Sequence, residues 1–109
     1  MEFEKSKLIE LKEKFDSIIN TEEKDNIEFW YARDLQIQLG YKRWENFIET
    51  IKKAMQSCEN AGIEVDNHFR EVTKMVQIGS GARRNLQDYM LTRYACYLIA
   101  QNGDSKKEE

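Results

Sequence analysis

The sequence predicts an α+β domain in which helices surround a small antiparallel sheet, with winged-helix character. Three observations carry that prediction. Apolar residues recur at spacings of three and four in several stretches, the pattern of amphipathic helices. Two stretches, residues 71–78 and 85–91, alternate in polarity and flank a glycine-containing segment, which is the pattern of a hairpin. Residues 92–104, TRYACYLIAQNGD, are apolar almost all round, and a short helix of that kind belongs inside a packed domain.

The elements follow in order. Leu8, Leu11, Phe15 and Ile18 form a stripe with Lys and Glu between them, so residues 4–20 are expected as an amphipathic helix. Packing onto its own domain is the first expectation for this helix. Its spacing also suits pairing with a second copy, which makes a homodimer the alternative. Residues 21–26 are polar and read as a loop, while IEFWY at Ile27–Tyr31 is aromatic and β-branched and reads as a strand. Ala32, Leu35 and Leu39 carry a helical stripe that Gly40 closes. A second stripe, Trp44, Phe47, Ile48, Ile51 and Met55, runs to about Asn60 and stops at Ala61-Gly62. Helix, glycine turn, helix is the helix-turn-helix pattern. A polar connection at residues 66–69 leads to the hairpin, whose loop is expected at residues 79–84 with Arg83 and Arg84 at its tip. Thr92 is the expected N-cap of the last helix and Gly103 its left-handed terminator. The resulting organisation is an N-terminal helix and loop (1–26), the main domain (27–104) and a tail or the start of a further region (105–109).

With 109 residues, 40% of them hydrophobic, the chain can fill one small core. The formal net charge of -3 argues against a dedicated nucleic-acid binder. Its distribution weakens that argument. Residues 1–28 hold five Lys against nine acids, whereas residues 70–93 hold five Arg and Lys against Glu71 and Asp88. Cys58 and Cys96 stand far apart without ligand neighbours, and Cys96 reads as a small buried thiol. No signal peptide or membrane-length apolar run is visible, so a cytoplasmic protein without membrane contact is expected.

In a helix-turn-helix the second helix presents its N-terminal face to the major groove. Here its exposed positions are expected to be Arg43, Glu45, Asn46, Glu49, Thr50, Lys52 and Lys53. Arg43 and Asn46 suit base edges, Lys52 or Lys53 suits phosphates, and Lys42 is a further expected DNA contact. Glu45 and Glu49 oppose a polyanion, so a purely structural role stands beside the DNA-reading one. Arg83 and Arg84 are the stronger feature: a hairpin after two helices is a wing, and its arginines suit phosphates or a minor groove. Two such contacts give a salt slope of only about -1.8, which calls for a second copy or a further region of chain. The Gly79-Ser80-Gly81 run is no dinucleotide loop, since its third glycine position is Arg84 and a strand follows. His68 has no Cys or His at ligand spacing and reads as a solvated or capping residue. No catalytic residue, metal site or cofactor is expected.

The wording of several stretches is distinctive: ARDLQIQLGYKRWENFI at 32–48, QSCENAG at 56–62, DNHF at 66–69, KMVQIGSGARRNLQDY at 74–89 and TRYACYLIAQNGD. Together they resemble the DNA-damage-inducible protein D family, whose N-terminal domain is related to the Bro-type N-terminal domain of phage antirepressors. The resemblance covers the chain from about Phe29 onward, and the long C-terminal region of that family has no counterpart here. It implies a Bro-N-like, bacterial or phage-derived regulatory domain of the DNA-damage (SOS) response, associated with DNA and without an enzyme active site. The expected function is DNA binding through the hairpin and the helix-turn-helix. The alternative is a protein-interaction module that modulates a repair or recombination protein through the acidic N-terminal helix, with Glu10 and Glu13 as its charges.

Overall fold

A computed structural model describes residues 4–79 and 81–103; Asp104 and the tail expected at 105–109 lie outside them. The chain runs α1 (Lys5–Asp16), β1 (Asn20–Glu22), β2 (Ile27–Tyr31), α2 (Ala32–Gln38), α3 (Trp44–Asn60), a 3-10 turn (Val65–Asn67), β3 (Phe69–Ile78), β4 (Ala82–Leu91) and α4 (Arg93–Gly103). The sheet is antiparallel in the order β1-β2-β4-β3. This is the α+β architecture the sequence predicts.

Register explains where the core lies. Trp30 pairs with Leu91 and Leu91 with Phe69, so one row across three strands points inward, and all three side chains are buried. α4 packs against β2 and β4 of that row and brings Ala95, Cys96 and Ile99 into the core, and α3 packs on α4, adding Phe47, Ile51 and Ala54. α1 closes the core with Leu11 and Phe15, and the buried indole N–H of Trp30 donates to Phe15 O at 2.8 Å. α1 therefore packs on its own domain. Its stripe is narrower than expected, because Leu8 is 41% exposed.

Both ends of the two-helix unit follow their sequence. After α2, Gly40 takes φ 84°, with Gly40 N–H donating to Ile37 O and Tyr41 N–H to Gln36 O. After α3, Gly62 takes φ 77°, with Gly62 N–H donating to Glu59 O and Ile63 N–H to Cys58 O. This paired closure needs a left-handed residue, which glycine adopts without a Cβ clash. Thr92 caps α4 as expected, accepting from Ala95 N–H at 3.2 Å. His68 holds that cap, its Nδ1 lying 2.6 Å from Thr92 Oγ1.

Four expectations are corrected. α1 stops at Asp16 instead of reaching Asn20, and residues 20–22, expected in part as loop, form β1. Their partner is β2, a pairing that their own polar composition does not announce. Thr50 is 2% exposed, because its hydroxyl reaches the Tyr41 hydroxyl under α4. Gly103 is helical and not left-handed. A Cβ there would run into the Tyr41 hydroxyl, which donates to Gly103 O at 2.8 Å, so glycine is required by packing. Finally, Arg83 and Arg84 are strand residues of β4, not loop residues. Ladder pairing continues out to Ile78 and Ala82, which shortens the expected loop.

Candidate nucleic-acid interface

β3 and β4 form a two-stranded arm. β2 pairs with β4 only at Met90 and Leu91, so from Asp88 outward the two strands have each other as sheet partners. From Asp88 to Ala82 the arm extends about 20 Å at the usual strand rise. Its outer residues are exposed on both faces, Met75 at 61% and Ile78 at 45% among them. Gly79 and Gly81 turn the chain at φ 42° and 82°.

The root of the arm is built around Asp88, which is fully buried. Tyr31, the residue at the N-cap of α2, makes no side-chain cap, and Asp88 supplies the acceptor from β4 instead. Its Oδ1 accepts from Arg33 N–H at 3.0 Å and from Tyr89 N–H at 2.8 Å. Its Oδ2 pairs with Lys74 Nζ at 2.8 Å, and the same ammonium lies 3.4 Å from the centre of the Tyr31 ring. A carboxylate at a helix N-terminus meets the positive end of the helix dipole and an unpaired amide. Lys74 and Asp88 thus cancel one another, and neither contributes to the outward charge.

Arg33 joins the root to α3. Its Nε donates to Gln87 O at 2.8 Å, covering an edge carbonyl of β4, and its guanidinium stacks 4.0 Å over Trp44. Trp44 in turn donates to Gln87 Oε1, and Gln87 to Glu71. Burial lowers the Arg33 pKa from its ordinary value; Asp88 opposes that shift and the nearby Arg84 adds to it. The Arg84 charge is therefore felt where α2, α3 and β4 meet. Arg33 escaped the sequence reading although a signal existed, since a cation in the first turn of a helix opposes the dipole unless other contacts hold it.

The expected site residues divide into three groups. Arg83 and Arg84 are exposed on the arm, opposite Gln77 and Val76, and neither forms an ion pair among the described residues. Successive strand residues face opposite ways, so the two arginines project from opposite faces of the ribbon. Lys42 and Arg43 are exposed in the turn before α3, beside Trp44 and the root. Lys52 and Lys53 lie farther along α3, about 100° apart around its axis. Glu45 and Glu49 fall between them on that exposed face, and Lys52 pairs with Glu49 at 3.9 Å. Arg93 is spent elsewhere, 3.5 Å from Asp16 and 3.3 Å from Glu28. Burial disfavours its charge, but the hydrogen bond to Glu28 and the charges of Glu28 and Asp16 outweigh that and raise its pKa.

No group of His, Cys, Asp and Glu suited to a metal occurs among the described residues, and none of their helices is long and apolar enough to cross a membrane. Cys58 and Cys96 are buried free thiols, and burial pushes both pKa values up.

No solved structure matches this chain. Over 80 residues, 73% of its length, it is 50% identical to the DNA damage-inducible protein D of Escherichia coli (strain K12), and it spans 29% of the length of that relative. Residues 18–109 match the BRO family, N-terminal domain, and this chain belongs to that family.

Proposed function

We propose that this chain is a regulatory, non-catalytic domain of the bacterial response to DNA damage, acting in the cytoplasm and binding DNA through the arm and the start of α3. The observation that carries the proposal is the projecting ribbon with Arg83 and Arg84 exposed and free of ion pairs among the described residues. Lys42 and Arg43 extend the same charge beside its root. Lys52 and Lys53 are secondary contacts, because Glu45 and Glu49 share their face. The name of the bacterial relative, DNA damage-inducible protein D, supports the link to damage.

A salt titration of binding to a short DNA duplex tests this. Each phosphate contact adds about 0.9 to the slope of log K against log salt. The Arg83→Ala, Arg84→Ala double variant is expected to flatten the slope by about 1.8. No detectable binding at low salt, or an unchanged slope in the double variant, would sink the proposal.

A second reading is favoured by α1. Leu8 and Ile9 are exposed beside the exposed acids Glu10 and Glu13, a surface suited to a protein partner on DNA such as a repair or recombination protein. On that reading, Glu10→Lys with Glu13→Lys abolishes partner binding while direct DNA affinity is retained or rises.

A further inference from the structure

We infer that the arm enters the major groove of duplex DNA tip first, with Arg83 and Arg84 on phosphates of opposite strands. This rests on the DNA-binding proposal and specifies the form of DNA and the geometry of contact.

The two arginines are sequence neighbours on one strand, so their side chains leave the ribbon on opposite faces. A flat surface of phosphates would engage only one of them. Two walls, one on each side, engage both. A ribbon with side chains on both faces is about 10 Å thick, judged from the spacing of packed sheets. The major groove of B-DNA is about 12 Å wide and 8.5 Å deep, and the minor groove only about 6 Å wide. The ribbon therefore fits the major groove and not the minor.

The last cross-strand pair, Ile78 and Ala82, is apolar and exposed and lies on the same face of the ribbon as Arg84. The root fixes the direction of the arm: Asp88 ties β4 to the first turn of α2, and Arg33 ties Gln87 to Trp44 of α3. Single-stranded DNA offers one row of phosphates, and only one arginine finds a partner on it.

The experiment compares a duplex with a single strand of the same length, and duplexes whose phosphates are replaced by neutral methylphosphonates on one strand at a time. Duplex binding is expected to exceed single-strand binding. Arg83→Ala should remove the sensitivity to neutralisation on one strand, and Arg84→Ala that on the other. Each variant should flatten the duplex salt slope by about 0.9. Arg83→Gln and Arg84→Gln, which keep a polar strand residue, should behave alike, and circular dichroism verifies their fold. Equal affinity for single strands, or both arginines reporting the same strand, overturns the inference and leaves the DNA-binding proposal standing. Absence of any duplex binding at low salt overturns both.

Discussion

The Asp88 carboxylate, buried on β4, accepts the backbone N–H of Arg33 at 3.0 Å, so a strand side chain caps a helix lying 55 residues away in sequence. The same group neutralises Lys74 and thereby fixes where the arm leaves the body of the domain.

Asp88→Ala removes the cap and the ion pair together. A lost N-cap costs about 1 kcal/mol and a hydrogen bond to a charged group about 1.5–3 kcal/mol. Lys74 is partly exposed and regains water, which discounts the second figure. A loss of about 2–3 kcal/mol is expected in urea denaturation. Asp88→Asn keeps an acceptor for Arg33 and should lose roughly half as much. Equal losses in the two variants would contradict the capping role.

Gly103→Ala should destabilise by about 1–3 kcal/mol through overpacking against the Tyr41 hydroxyl, although alanine is the better helix former. Tyr41→Phe removes the obstructing oxygen. In that background Gly103→Ala should cost clearly less, although the Thr50 methyl and the Tyr41 ring stay close at 3.0 and 3.3 Å from the added Cβ, and a double-mutant cycle from thermal melts measures the coupling. Additive effects would show that the Tyr41 hydroxyl does not select glycine here.

On α3, Glu45 and Glu49 lie between Lys52 and Lys53, and they repel any polyanion that the helix approaches. Two unit charges 4 Å apart interact by about 1 kcal/mol in water. Glu45→Gln with Glu49→Gln should therefore tighten DNA binding roughly two- to five-fold at low salt, with the gain fading as salt rises. Unchanged affinity would place this face of α3 away from DNA.

Neither cysteine should react with Ellman's reagent at pH 8 while the protein is folded. Burial raises both thiol pKa values, so the reactive thiolate is rarer than in a free cysteine, and both side chains are closed to solvent. Two thiols should react once the chain is unfolded. Fast reaction of Cys96 in the native protein would refute the placement of α4 in the core, and of Cys58 that of α3.

Most elements were legible because their signals are local. Apolar spacing marks α3, glycines mark the ends of α2 and α3, and Thr92 marks the start of α4. The misses share a cause: each depends on a distant partner. β1 exists because β2 lies beside it, Thr50 is buried because Tyr41 receives its hydroxyl, and Gly103 is needed because that same Tyr41 reaches it. The site shows the same division. Arginine pairs and lysines are visible in a string of letters, whereas their facing depends on where β4 begins. Asp88 looked like an acid diluting a basic stretch, and only its burial beside Lys74 and α2 reveals an internal strut.

The Tyr41–Gly103 bond joins groups 62 residues apart, and the Arg93–Glu28 contact spans 65. Such distant closures carry a loop-entropy cost that no local contact repays early, so the chain gains little from folding piecemeal. On a ribosome, α1 to α3 would emerge with their apolar faces uncovered and wait for β4 and α4 before the domain could close. Nascent chains arrested before Arg93 should therefore remain protease-sensitive, and protection should arrive abruptly once the last helix clears the exit tunnel.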